Sequence, residues 1–410
     1  GNHMKKKILL VVVLVVLLLG VGAAYAYFET DFFKTEKEIF LSYLLNDKMT
    51  TDEEKMAQYF EKKETTSHTY SGELGMTANG MEDESVEMLN GSNITFEGAT
   101  NPAQKLTEME LTANLATGVN IPIMYKQDGE TYGIQTNLLD ERYIAIRNEN
   151  LKALVEMFGL DSTSVPDKIE VEDMTFTEEE TKTLKEKYVG ILEEDLPEEL
   201  FSKEKVDSQT IITLSMGQDK FVEVLRKILE TLRDDEIILN KLPVGYDKET
   251  FQSSIDEILS DIGKTSSSEN KVEIKLYIEN KAINMLELKY YEGDANILNA
   301  VISTETVEND VIVEATMRVQ ENDETAEISA KVQYKDILTL DNVEETIQVK
   351  MLTEGTTEDI DMSIDFTNTV KFEEKEIENF NDTNSIILND ATEEEMMDLL
   401  TAIYSNLGLM

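Results

Sequence analysis

Few residues in this 410-residue chain could do chemistry, and their spacing argues against it. His68 is the only histidine beyond a Gly1-Asn2-His3-Met4 start that reads as a cloning scar. A Ser–His–Asp triad would need this one imidazole as its base, and no Gly-x-Ser-x-Gly elbow accompanies it. Between Ser67 and Thr69, His68 is expected as a solvated residue at a strand edge. Ser202-Lys203-Glu204-Lys205 and Ser268-Glu269-Asn270-Lys271 satisfy Ser-x-x-Lys, in which a lysine helps a serine become acylated. No Lys-Thr-Gly follows, neither tetrad opens an apolar helix, and a lysine-rich chain produces the pattern by chance.

Metal and cofactor chemistry is equally thin. Cysteine is absent, which excludes disulfides, thiol catalysis, Fe–S clusters and zinc ribbons. Among 84 Asp and Glu residues no catalytic pair of carboxylates stands out, and without tryptophan there is no indole for stacking sugars. The acidic turn Glu321-Asn322-Asp323-Glu324 could hold a weak structural calcium ion, but no Asp-x-Asp-x-Asp-Gly loop exists. No Gly-rich phosphate loop occurs. The expectation is a non-enzymatic protein with no cofactor beyond such a weak calcium site.

Charge narrows the partners. Lys and Arg total 37 against 84 acidic residues, a net −47, so nucleic acid is excluded as a partner. The one basic cluster, Lys5-Lys6-Lys7, precedes an uncharged run from Ile8 to Phe28. That run reaches the roughly 20 residues a helix needs to cross a bilayer. Tyr25, Tyr27 and Phe28 suit the lipid–water boundary, and the lysines hold the N-terminus in the cytoplasm. The chain is expected at the cell membrane as a single-pass protein with an acidic extracellular domain. Cleavage after Ala24-Tyr25-Ala26 would instead release it as a secreted protein.

The elements beyond the anchor (5–28) alternate in type. A juxtamembrane helical segment (29–66) runs from Phe33 to Lys63, with a break expected at Met49–Asp52. Period-two stretches then appear at Ser71–Ala78, Asn93–Gly98, Thr107–Thr117, Asn120–Lys126, Thr131–Asn137 and Arg142–Arg147. Helices follow: a short one capped by Asn148 and closed by Gly159, then one opened by the capping box Thr177-Glu178-Glu179-Glu180. After a strand near Thr210–Ser215, Phe221, Val224, Leu225, Ile228, Leu229 and Leu232 recur at helical spacing. Phe251–Ile262 forms another amphipathic helix.

Alternation returns at Val272, Ile274, Leu276 and Ile278, then at Val311–Val319 and Ala326–Tyr334, with shorter strands at Thr346–Leu352 and Asp359–Thr367. A second capping box, Thr392-Glu393-Glu394-Glu395, opens the last helix. Each meander is apolar on one face only, and the one-sided helices must cover that face. The predicted fold is α+β: an N-terminal transmembrane helix, then a large curved antiparallel sheet, half-barrel-like, wrapped around amphipathic helices. Residues 67–205 and 206–410 divide as two meander-plus-helix units, or 67–410 forms one continuous fold.

This layout resembles the half-barrel of the LolA and LppX-like lipoprotein carriers, in which a curved sheet wraps helices around a lipid-sized cavity. Tyr27-Phe28-Glu29-Thr30-Asp31-Phe32-Phe33-Lys34, Lys187-Tyr188, Ile191-Leu192, Phe221–Leu232 with Asp234-Asp235-Glu236, and Ile387–Leu400 resemble membrane-anchored ectodomain proteins of Bacillota. The first resemblance implies a lipid or other apolar ligand, lined by Phe221, Val224, Leu225, Ile228, Leu229, Leu232, Val272, Ile274, Leu276 and Ile278. The second informs topology and source rather than activity. The alternative is a structural or protein-interaction subunit of a cell-envelope complex, with those residues as filled core.

Overall fold

Period-two patterning drives the described residues into one sheet of sixteen strands. The computed structural model describes residues 35–45, 53–80, 89–170, 175–243, 246–262, 269–355 and 359–409. The run Ile8–Phe28, with its expected membrane crossing, lies outside the described residues. Among the described residues no helix is long and apolar enough to cross a membrane.

A first meander contains β1 (His68–Asn79), β2 (Asn93–Asn101), β3 (Leu106–Asn114), β4 (Asn120–Asp128), β5 (Thr131–Thr136) and β6 (Asp140–Arg147). The chain then crosses to the far edge through helices before β7 (Phe201–Val206) and β8 (Gln209–Gly217). From there β9 (Asn270–Glu279), β10 (Ala282–Glu292), β11 (Ala295–Val307), β12 (Asp310–Glu321), β13 (Glu324–Lys335), β14 (Val343–Glu354) and β15 (Asp361–Lys371) step back toward the start. The β9–β10 hairpin turns on Asn280 and Lys281, both left-handed with φ of 51° and 60°, the type I′ geometry that matches strand twist. β15 pairs antiparallel with β1 from Thr69 to Asn79, which fuses the two meanders. Finally β16 (Ser385–Ile387) adds in parallel to β6.

This corrects the half-barrel expectation. The strand order runs β16-β6-β5-β4-β3-β2-β1-β15-β14-β13-β12-β11-β10-β9-β8-β7, an open sheet with β16 and β7 at its edges. The two meanders do not curl separately around helices; they share strands edge to edge, and the helices lie on the sheet. β7 went unrecognised in the sequence because Ser202–Lys205 is polar and exposed, as an edge strand tolerates.

Eight helices accompany the sheet among the described residues. Three cover the β8–β10 flank: α1 (Glu36–Leu45), α5 (Gln218–Arg233) and α7 (Lys248–Asp261), joined by α4 (Glu178–Asp195) and the short α6 (Glu236–Leu239). Phe40 meets Phe201 edge-on at 5.4 Å within this main core. α2 (Glu53–Thr65) drops Tyr59 into a second cluster with Val311, Ile337 and Val343. At the opposite flank α3 (Leu151–Met157) and α8 (Glu393–Asn406) pack on β6 and β16.

The caps follow the sequence in part. Thr177 and Glu180 form the full reciprocal box. Thr392 caps α8 through its hydroxyl, but its own hydroxyl donates to the Glu395 carboxylate at 3.1 Å instead of completing the second arm. Asn148 does not cap α3: its side chain bonds Ile169 and Glu130, and Asn150 takes the N-cap place in a left-handed conformation.

Residues 372–384 form an extended strap over the second face of β2–β6. Ile377 packs on Ala99 and Leu106, and the Phe380 ring fills space beside Gly133, where a Cβ would meet it at 2.9 Å. Lys126 pins the strap. It is buried, donates to the Glu378 carbonyl at 2.7 Å, pairs with Glu108 at 3.3 Å and lies 5.0 Å from the Tyr143 ring centroid. Hydrogen bonds to charged groups contribute about 1.5–3 kcal/mol. Lys126→Ala is therefore expected to lower unfolding free energy by about that much. It should also expose residues 372–384 to limited proteolysis, read by urea titration and peptide mapping.

Candidate functional site

A groove crosses β15, β1, β2 and β3 on the apolar face. Registry sets Val370, Tyr70, Gly98 and Met109 in one row, Asn368, Gly72, Phe96 and Leu111 in the next, and Phe366, Leu74, Ile94 and Ala113 in a third. Four strands about 4.8 Å apart make a floor about 14 Å across. The groove holds about 490 Å³, inside the roughly 300–1,000 Å³ range of ligand pockets.

Two glycines shape the floor. A Cβ on Gly72 would lie 2.7 Å from the Phe96 ring and overlap the Thr367 carbonyl oxygen. A Cβ on Gly98 would lie 2.9 Å from the Tyr70 ring and hydroxyl. Each glycine thus receives the aromatic ring of its cross-strand partner, which leans over flat instead of standing up. Phe96 and Phe366 stack at 5.7 Å with 15° between their planes, so the middle of the floor is aromatic.

One end is polar. Lys63, from the last turn of α2, and His68 close it. Lys63 donates to both carboxylate oxygens of Glu345 on β14, at 3.0 and 3.1 Å, and Asn368 donates its amide to the same carboxylate at 2.9 Å. His68 is buried rather than solvated, which corrects the sequence expectation: β1 became a central strand once β15 paired with it. Its Nδ1 lies 2.8 Å from the Thr66 carbonyl, so Nδ1 carries the proton and Nε2 keeps a lone pair in the neutral ring. Burial lowers the His68 pKa from 6.5, only partly offset by the Thr66 hydrogen bond. Burial pushes the Tyr70 phenol up to about 12. Burial and the Glu345 charge raise Tyr59 as well.

The residues expected to line a ligand site lie elsewhere on the same face. Phe221, Val224, Leu225, Ile228 and Leu229 on α5 are buried against Val272, Ile274, Leu276 and Ile278 on β9, and Leu232 packs at the cluster's margin. All ten belong to the main packed core. A continuous apolar row links them to the groove: Leu276, Leu286, Ile302, Ala315, Ala330, Val349, Ile364 and Met76 are successive cross-strand partners. Phe96, Leu74 and Phe366 escaped sequence reasoning because β1 and β15 lie almost 300 residues apart in the chain. The available signal was Gly72 and Gly98, glycines interrupting otherwise good strands.

No chemistry converges elsewhere on the Ser-x-x-Lys tetrads. Ser202 and Lys205 are exposed on edge strand β7, and Ser268 lies outside the described residues. Glu321–Glu324 turns the β12–β13 hairpin, with Asn322 left-handed at 56°. Among the described residues no group of three or more histidines and carboxylates is placed to hold a metal ion.

No protein-family model and no curated protein matches this sequence. Solved structures with detectable similarity include Pseudomonas aeruginosa OccK2 (OpdF) in complex with glucuronate, at 6% identity and a TM-score of 0.12, covering 75% of this chain and 98% of that one. Another is a loop-deletion mutant of OmpT, an outer membrane protein of Vibrio cholerae, at 8% identity and a TM-score of 0.13, covering 74% and 97%. At such scores the likeness carries no argument about fold or function.

Two outcomes are expected from this geometry. Because His68 has a lower pKa folded than unfolded, the unfolded chain takes the proton first as pH falls. The neutral ring's stability is present above pH 6.5 and is lost below it, before carboxylates titrate near ~4. Melting temperature should therefore drop across that window in the native protein and stay flat there in His68→Phe. Gly72→Ala should destabilise by about 1–3 kcal/mol, the usual cost of overpacking, measured by urea unfolding.

Proposed function

We propose that this chain is a membrane-tethered, non-enzymatic binding protein that takes the acyl chain of a lipid into the groove over β15, β1, β2 and β3. The observation that carries the reading is that, among the described residues, no helix covers the centre of the sheet's groove face. Helices shield both flanks, while Phe96, Leu74, Met109, Leu111 and Phe366 remain only half-buried. The strands below spend their backbone hydrogen bonds on one another. The floor therefore offers contact to methylene groups and little to a peptide seeking strand pairing. The Ile8–Phe28 run supports the same reading, since a bilayer anchor would hold the groove near lipid.

A protein partner is the second reading. Beyond the groove the apolar face continues with Ile328 and Ile347, 37% and 38% exposed, a breadth that an envelope protein could cover.

The test is photocrosslinking of the full chain in its own membrane after feeding diazirine fatty acids. Each buried methylene contributes about 0.8 kcal/mol, so labelling should rise roughly fourfold per added carbon until the groove fills. Phe96→Arg and Leu74→Arg should cut labelling at least tenfold, while Thr367→Arg, on the polar face of β15, should not. Equal labelling of all three variants would remove the acyl reading, and capture of a discrete protein through the Ile347 strip would favour the second.

A further inference from the structure

Resting on the acyl-binding reading above, we infer that Glu345 sets the head-group class of the ligand: it keeps the polar end of the groove neutral, so that the site selects an uncharged, hydroxyl-bearing acyl lipid over an anionic one.

Among the described residues Lys63 is the one cation lining the groove, and it is the feature that would attract a phosphate or carboxylate head. Glu345, the cross-strand partner of Asn368 on β14, takes up that charge with two hydrogen bonds, at 3.0 and 3.1 Å. Both partners are mostly shielded, with 28% and 12% of their side chains exposed, so water does little to separate them. Asn368 adds its amide N–H to the same carboxylate at 2.9 Å.

What remains uncommitted at this end accepts hydrogen bonds. Asn368 Oδ1 is buried with no donor among the described residues, and His68 Nε2 keeps a lone pair because its Nδ1 proton faces the Thr66 carbonyl. Burial favours the neutral imidazole. An anionic head would bring charge and further acceptors to a site already supplied with acceptors, on a chain of net charge −47. A hydroxyl brings a donor and no charge. Glu345 acts through Lys63 and Asn368, so it is a positioning residue whose effect appears in selectivity.

The full chain is reconstituted in phosphatidylcholine vesicles containing one of two photoreactive probes with identical diazirine chains. One is a diacylglycerol with a free hydroxyl; the other is the corresponding phosphatidic acid. The native protein should label with the diacylglycerol at least tenfold over the phosphatidic acid. Glu345→Gln frees Lys63 and should erase or invert that ratio while total labelling persists. Lys63→Met combined with Glu345→Gln should restore the preference for the uncharged head, which separates a charge effect from a folding defect. Preference of the native protein for phosphatidic acid, or a ratio unmoved by Glu345→Gln, would overturn the inference while leaving acyl binding intact. Labelling by neither probe that Phe96→Arg can reduce would overturn the acyl-binding reading, and this inference with it.

Discussion

The pairing of β1 with β15 is the constraint on which the remaining structure depends. It joins the first and last strands of two meanders, from Thr69 opposite Lys371 to Asn79 opposite Asp361, and makes one sheet with a continuous apolar face. A sheet this broad has more apolar area than its helices can shield. Burying that area contributes roughly 25 cal/mol per Å², and the helices do so where the chain can deliver them: near β8–β10, where α1, α5 and α7 pack, and near β6, where α3 and α8 pack. Among the described residues the middle strands have helix cover only at one end, from α2. An exposed apolar strip in the centre follows from topology.

The same topology makes the two faces of the first meander unlike. The strap 372–384 must run back across the sheet to deliver β16 to β6, and it takes the face carrying Ala99, Leu106, Lys126 and Gly133. That face is closed by Ile377 and Phe380, with Lys126 as its buried pin. The opposite face is left to the groove. There Gly72 and Gly98 lay the Phe96 and Tyr70 rings flat, which turns a merely apolar surface into a shallow trough. The polar end owes its neutrality to α2, because only that helix brings Lys63 to Glu345.

Much of the fold was legible locally. The strands β1 to β6, the α5 stripe and the Thr177 capping box all appear where period and capping chemistry put them. What local pattern could not carry was partnership. A one-sided strand says that its face is covered, but not whether by a helix, another strand's neighbours or nothing. For Phe221–Leu232 and Val272–Ile278 the pattern leaves both a cavity lining and a filled core open, and they pack as core because α5 lands on β9. Nor does local pattern show that His68 lies on a central strand, because its neighbour β15 comes from almost 300 residues away.

Sequence alone determined the charge, the absence of thiol chemistry, the one-sided strands and the apolar run at Ile8–Phe28, since these depend on composition or on residues within a turn or two. Only the tertiary structure decided that the sheet is open, that His68 is buried and that Lys63 is neutralised. Each of these rests on contacts between residues about 280 to 300 positions apart, such as Lys63 with Glu345 and Tyr70 with Val370. Such contacts form only after the whole chain has chosen its strand order, and no short window of residues encodes that choice.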